Sequence, residues 1–213
     1  MTGILLRASA LILMACAAFS CLAAQDTKDV LQLYFGQSYR LSSGNRGDAD
    51  CLQKFAVLPA LQASEQFKAE ADGILDELHT ALQSLIELAP GGAGDRAVLF
   101  RFEGNRDDHH SEAYKAQCSA QRRVNAGCEI LSATVRLPSG LNSNEMRYCI
   151  FHETLHALGY RGHVWSQNSV MNPTMTLERF STWDQSVIKR LYGGALKAGM
   201  QPAEVSKLLR EMP

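Results

Sequence analysis

The feature that most constrains this chain is a pair of histidines four residues apart, His152 and His156, with Glu153 beside the first. On a helix, residues four apart lie on one face, so the two imidazoles can present nitrogen atoms to one metal ion. Neutral imidazole is a good ligand for zinc. Glu153 lies next to that face and can reach a water at the metal, which suits a general base. The pattern therefore predicts a helix that carries a zinc site.

The residues after this helix supply a third candidate ligand. Gly159 offers the left-handed backbone conformation that ends a helix. A chain that turns there can bring His163 back to the same ion. Farther along, residues 169–173 read Ser-Val-Met-Asn-Pro, which indicates a tight turn that carries Met171.

These residues resemble the metzincin zinc peptidases, whose pattern is H-E-x-x-H-x-x-G-x-x-H followed by a turn carrying a Met. The matrixin branch is the most similar, because Met171 follows His163 by eight residues, as the matrixin Met does. Matrixins also close their catalytic domain with a helix similar to residues 181–193. The resemblance covers about residues 145–193 and implies that Met171 forms a hydrophobic floor beneath the metal site.

Two positions depart from the metzincin pattern. Gly162 stands where the third His is expected, and His163 follows it by one residue; Asn172 stands where matrixins carry Tyr. The flexible backbone at Gly162 can absorb the extra residue. The alternative is that His163 is a surface residue and that another group completes the zinc shell. Residues 184–192 and 197–200 are also similar to a family of bacterial exported proteins of unknown function, whose members often lack the full set of histidines.

The resemblance implies hydrolysis of peptide bonds in a peptide or protein substrate. Zinc (Zn²⁺), held by His152, His156 and His163, would activate a water, and Glu153 would act as the general base. Tyr160 or Tyr192 could donate to the transition state. The alternative is a non-catalytic exported domain with a vestigial metal site that binds an envelope partner; metal-dependent hydrolysis of another substrate, such as cell-wall peptide, is a third hypothesis.

Composition limits the partners of the chain. The formal net charge is −1, and no basic patch stands out, so we expect no nucleic-acid partner. With 46% hydrophobic residues in 213, the chain can bury one good core, and we expect a monomer.

The resemblance to the metzincins implies an α/β (α+β) fold. In metzincin terms we expect a twisted mixed sheet, a long packing helix, an active-site helix and a small irregular C-terminal subdomain. The predicted strands cover residues 54–61, 97–102 and 129–137, and the predicted helices run from Ser64 to Pro90, from Asn142 or Ser143 through the histidine motif, over 181–193 and over 202–210. The domain boundaries that follow are a signal peptide at 1–24, an N-terminal arm at 25–50, a zinc-peptidase domain at 51–200 and a C-terminal helix at 201–213.

Two further groups of polar residues are assigned no role in the site. His79 lies on the long helix without metal-binding neighbours in sequence, and we expect a structural or surface residue. The run from Asn105 to Glu112, which includes two histidines, indicates a solvated loop, with a second metal or substrate contact as the alternative.

The N-terminus has the composition of an export signal. Arg7 is the only charge in the first 25 residues, and the apolar run at 8–19 ends in small residues. This run is too short for a comfortable membrane span and predicts cleavage near residue 24, with a periplasmic or secreted product. Lipid attachment at Cys16 or Cys21 is the alternative and would be the membrane contact of the chain.

Four cysteines lie beyond the predicted signal peptide: Cys51, Cys118, Cys128 and Cys149. An even number in an exported chain suggests two disulfides, with free buried thiols as the alternative. We favour Cys118 with Cys128, which closes a short loop, and Cys51 with Cys149, which ties the early part of the chain to the histidine helix. A Cys-rich zinc site is not expected, because the chain has no C-x-x-C pair.

Overall fold

A computed structural model describes residues 26–36, 51–87, 97–105, 117–165, 167–174 and 176–212. The predicted signal peptide, both cysteines considered for lipid attachment, most of the predicted arm and the polar run after Asn105 lie outside these residues. Within the described ranges, no helix has the length and apolar character needed to cross a membrane.

Four strands form one mixed sheet with the order β1-β2-β4-β3. Strands β1, β2 and β4 run parallel to one another. Strand β3 stands at the end of the order, as an edge strand, and pairs with β4 in the antiparallel direction. In the centre of the sheet, Phe100 lies opposite Val135, and both side chains are fully buried. The strands are β1 (Ala60–Ala63), β2 (Ala97–Asn105), β3 (Ser119–Val124) and β4 (Ile130–Ser139).

The sheet is accompanied by the helices α1 (residues 26–35), α2 (Glu65–Gln83), α3 (Ser143–Ala157), α4 (Thr182–Tyr192) and α5 (Pro202–Glu211). Their starts follow the expected capping chemistry. The Ser64 side chain accepts from Phe67 N at α2, and capping boxes begin α3 at Asn142 and α4 at Ser181. The apolar stripe of α2 is buried: Phe67, Ala71, Ile74, Leu78 and Leu82.

The predicted α/β (α+β) class, with a mixed sheet and a long packing helix, is confirmed. The predicted strand at residues 54–61 was wrong over its first part, since a regular strand begins only at Ala60. The Lys54 ammonium explains the difference, because it donates to the carbonyl oxygens of Leu191 and Leu196 at 2.7 and 3.0 Å. This segment therefore packs against the end of α4, and Lys54 forms an isolated bridge to Glu129.

Helix α1 was not predicted. These residues were expected to belong to an N-terminal arm over 25–50. In the structure, Val30, Leu31, Leu33, Tyr34 and Phe35 are all buried in the hydrophobic core. The helix is thus an integral part of the folded unit.

Both disulfides are present, but the favoured pairing was wrong. Cys51 pairs with Cys128 (Cα–Cα 6.3 Å), and Cys118 pairs with Cys149 (Cα–Cα 5.9 Å). The sequence analysis treated the residues between Cys118 and Cys128 as a loop, whereas they form β3 and its turn. A strand rises about 3.3 Å per residue, so the two ends of β3 lie far beyond the reach of a disulfide.

Candidate metal centre

Helix α3 carries His152, Glu153 and His156 through the interior of the molecule. Most of its residues are buried, and His152 and Glu153 are only 3% and 5% exposed. At its start, the Asn142 side chain accepts from Glu145 N and the Glu145 carboxylate accepts from Asn142 N. These bonds satisfy backbone donors that a helix start leaves unpaired, so the helix is fixed before its motif begins.

The structure brings the three predicted histidines together. The Nε2 atom of His163 lies 3.2 Å from Nε2 of His152 and 3.3 Å from Nε2 of His156. Among the described residues, these three form the group of side chains whose ligand atoms converge within 4.8 Å. Glu153 is not a member of this group.

Backbone carbonyls fix the tautomers of two of the rings. His152 Nδ1 lies 2.6 Å from Val170 O, and His156 Nδ1 lies 2.7 Å from Tyr160 O. A carbonyl oxygen only accepts, so each Nδ1 carries the proton and donates it. Each Nε2 is then an acceptor, and both face the same His163 nitrogen. This arrangement orients imidazoles as metal ligands are commonly oriented in proteins.

The donor set fits a zinc ion. With Zn–N bonds of about 2.0–2.1 Å and tetrahedral angles, ligand nitrogens are separated by about 3.3–3.4 Å. The two Nε2 separations, 3.2 and 3.3 Å, agree with this value. Without a metal, a single proton on His163 Nε2 would have to be shared between Nε2 of His152 and Nε2 of His156. A cation between the rings would satisfy the lone pairs of both acceptor nitrogens.

The electrostatic environment keeps the imidazoles neutral. Burial lowers the pKa of His152 to about 4 and lowers the pKa of His156 well below its usual range. Burial also lowers the pKa of His163. Neutral rings are the form that binds a metal, so no proton has to leave them at neutral pH.

Two glycines shape the return of the chain to the third histidine. Gly159 has φ +116°, as predicted for the end of the helix, and a Cβ there would lie 2.1 Å from Gln53 O. At Gly162 a Cβ would lie 2.2 Å from Gln32 O. The chain therefore passes close to two other backbone segments on its way from α3 to His163.

The turn that carries Met171 is held from α4. Asp184 is fully buried, and its carboxylate accepts from Ser169 Oγ and from Val170 N, the latter at 3.1 Å. The same carboxylate accepts from the backbone N–H of Ser181 at the start of α4. Met171 is itself fully buried. Ser181 and Asp184 form a capping box, and its carboxylate also holds the turn.

Glu153, the residue after His152 on α3, is buried. Burial raises the pKa of Glu153 to about 8, against the opposing effect of the Arg122 guanidinium. A carboxyl with this pKa is able to hold a proton near neutral pH, and a bound cation nearby would shift its pKa downward.

Arg122 is a residue of the site that the sequence analysis missed. It lies on β3, and its Nη1 donates to the carbonyl oxygens of His156 and, at 3.2 Å, of Tyr160. Burial lowers its pKa to about 10. A cation at the last carbonyls of α3 complements the negative end of the helix dipole. No signal in the polar sequence of β3 indicated this role.

The two tyrosines considered as transition-state donors have other contacts. The Tyr192 hydroxyl donates to Leu158 O at 2.6 Å. Tyr160 is fully buried, with its ring centroid 5.6 Å from that of Tyr34. Their rings contribute to packing behind the C-terminal end of α3.

Comparison with known proteins identifies one family. Residues 92–211 match the family described as Protein of unknown function (DUF2927). This range is more than half of the chain and includes all three histidines, Glu153 and α4, while α1 and α2 precede it. No curated protein matches the chain.

Proposed function

Since the chain belongs to DUF2927, a family of proteins of unknown function, we propose a function from its own site: an exported, zinc-dependent endopeptidase of the metzincin type. The observation that carries this proposal is the convergence of the imidazole Nε2 atoms of His152, His156 and His163, with the buried Glu153 following His152 on α3.

The three histidines would hold the zinc ion. When bound, zinc would supply Lewis acidity that lowers the pKa of a water and polarises a substrate carbonyl. The rings are neutral and oriented by backbone carbonyls, so little rearrangement would accompany binding.

Glu153 would move the proton. It would accept a proton from the attacking water and deliver it to the amine that leaves when the peptide bond breaks. Its buried position supports this role, because a site that excludes bulk water limits the loss of the proton between the two transfers. The carboxylate is unchanged at the end of the cycle, and one water is consumed for each bond cleaved.

The sheet supports an extended substrate. In metzincins a strand along the cleft pairs with the substrate chain, and β3 is an edge strand that is antiparallel to its neighbour. The edge of such a strand can offer main-chain hydrogen bonds to a peptide. Arg122 links β3 to the end of α3, so this edge lies next to the histidine helix.

The segment that follows the Met171 turn, up to Phe180, supports a pocket for a substrate side chain. In the metzincins this segment forms the wall of the pocket just past the scissile bond. Here Phe180 packs edge to face on Phe151, with 4.9 Å between ring centroids. Tyr148 Oη lies 3.5 Å from the Glu178 carboxylate. The wall would therefore stand against the same helix that carries the zinc ligands.

Export accords with the disulfides. Cys51–Cys128 and Cys118–Cys149 both link segments distant in sequence, and such bonds persist in oxidising compartments. A periplasmic or secreted location follows as part of the proposal.

The proposal is tested by zinc-dependent hydrolysis of an unbiased peptide library. We expect wild-type cleavage that a chelator abolishes and added zinc restores. Glu153→Gln should lower turnover by about 10²-fold or more while zinc stays bound, since general acid–base catalysis contributes about that much. Glu70→Gln, at an exposed position on α2, is the matched control and should cleave as wild type does. Equal turnover in Glu153→Gln, or zinc-bound protein without any cleavage, would contradict the proposal; the second result favours the non-catalytic alternative.

A further inference from the structure

We infer that helix α1 positions the third histidine, through the Gln32 side chain and through close backbone contact at Gly162. Gln32 is thus a positioning residue for the metal site, in a helix that precedes the matched family range. The inference rests on the proposed zinc site and adds to it the element that accommodates the one-residue shift of His163.

The first support is a set of hydrogen bonds at the end of α1. Leu33 O accepts from both Arg161 N and Gly162 N at 2.9 Å. Leu33 lies in the last turn of α1, where helix carbonyls lack partners within the helix. Gln32 Nε2 then donates to the carbonyl oxygen of His163 itself at 2.8 Å. Three successive residues, up to and including the candidate ligand, are therefore bound to one turn of α1.

The second support is steric. A Cβ on Gly162 would lie 2.2 Å from Gln32 O and 2.9 Å from the Cα of Gly36. On the other side of the contact, Gly36 has φ +68°, and a Cβ there would lie 3.2 Å from Arg161 O. The two backbones are in direct contact here. Because residue 162 has no side chain, the loop packs closely on α1, and this close packing places His163 at the metal site.

The third support is that α1 is itself anchored to α4. Asp26 accepts from Trp183 Nε1 at 2.9 Å and from Arg190 Nη1 at 2.6 Å. Tyr34 Oη donates to Val187 O at 3.0 Å. Because Asp184 of α4 also holds the turn that binds His152, one helix fixes two of the three imidazoles by separate routes: His152 through the turn, and His163 through α1.

If α1 positions His163, loss of the α1–His163 contact should weaken zinc binding strongly and lower the stability of the zinc-free protein only slightly. Two variants of the full chain test it. Gln32→Met removes the donor and keeps the length of the side chain, and Gly162→Ala forces the loop away from α1. Lys28→Met, at an exposed position on α1, and Gly73→Ala, where an added Cβ meets nothing within 4 Å, are the matched controls.

The readouts are the zinc dissociation constant, from competition with a chelating dye, and the Tm of the zinc-free protein. The visible spectrum of the cobalt-substituted protein adds the coordination number and geometry of the bound metal. We expect Gln32→Met to weaken zinc binding roughly 10- to 100-fold, the usual effect of a residue that orients a ligand. Its cobalt spectrum should change, while its zinc-free Tm stays within a few degrees of wild type. Both controls should bind zinc as wild type does.

Zinc affinity within about twofold of wild type in Gln32→Met would overturn the inference and leave the zinc site standing. An equal loss in Lys28→Met would also overturn it, because the effect would then be general to the helix. If Gly162→Ala does not fold, Gln32→Met decides the question alone. If the wild-type chain binds no zinc, the proposed function fails and this inference fails with it.

Discussion

At the scale of single residues, the candidate site depends on consecutive hydrogen bonds that begin at a residue outside the histidine cluster. The buried Asp184 carboxylate accepts from Val170 N, and Val170 O in turn accepts from His152 Nδ1. The backbone of Val170 therefore links the position of α4 to the orientation of an imidazole. Asp184 therefore orients His152, a candidate zinc ligand, without touching it.

Replacing Asp184 by Ala should affect both stability and metal binding. Donors at Ser169, Val170 and Ser181 would lose a buried charged acceptor, so we expect a loss of at least about 2 kcal/mol in the free energy of unfolding. Zinc affinity should fall roughly tenfold or more. Urea unfolding and chelator competition measure the two effects. Glu204→Ala, which removes the capping box of α5, is the control and should lose stability alone. Unchanged zinc affinity in Asp184→Ala would contradict the account.

The residues proposed for the metal site could be picked out from the sequence. The residues that hold them in place, Arg122 and Gln32, could not. His152, Glu153 and His156 follow from a helical spacing, which is local information. His163 followed from a resemblance together with a flexible Gly162. Arg122 and Gln32 lie on elements distant in sequence, and their contacts are with backbone carbonyls. Every residue has a backbone carbonyl, so the sequence around the acceptor does not indicate that it takes part in such a hydrogen bond.

At the scale of elements, the disulfides show where sequence patterns fail. Strand β3 reads Ser-Ala-Gln-Arg-Arg-Val, and its polar residues give no apolar alternation. An edge strand with one exposed face needs little apolar surface, so the pattern that identified β2 and β4 was absent. Without β3, the favoured pairing of Cys118 with Cys128 was the simplest, and the structure contradicts it.

The observed disulfides should both contribute to stability. Cys118–Cys149 closes 31 residues and Cys51–Cys128 closes 77, so loop entropy assigns them about 3.7 and 4.5 kcal/mol respectively. Replacing either pair by Ala should therefore lower the free energy of unfolding by a few kcal/mol, measured by urea unfolding. Peptide mapping without reduction should recover these two pairs in the wild type. Recovery of a Cys118–Cys128 peptide would contradict the structure.

At the scale of the whole molecule, the parts that hold the site come from most of the chain. Helix α1, strand β3, helix α3 and helix α4 each supply a contact to a histidine or to the turn. Buried, neutral imidazoles with facing acceptor nitrogens are an unfavourable arrangement when no cation is bound. Zinc binding and the stability of the fold should therefore be linked.

This linkage predicts the effect of zinc on thermal unfolding. At free zinc about 1,000 times the dissociation constant, binding adds about 4 kcal/mol to the free energy of unfolding. For a chain of this size, that corresponds to a rise in Tm of roughly 8–16 °C. Calorimetry with zinc and with a chelator measures the difference. Equal Tm values under the two conditions would contradict the linkage.

The measurement that tests the central claim most directly is the zinc content of the purified protein, by elemental mass spectrometry. Wild type, His163→Ala and His79→Ala are compared, the last being an exposed histidine on α2 that serves as the control. We expect about one zinc per chain in wild type and in His79→Ala, and loss of zinc in His163→Ala. Zinc retained in His163→Ala, or absent from the wild type after zinc is supplied, would contradict the three-histidine site.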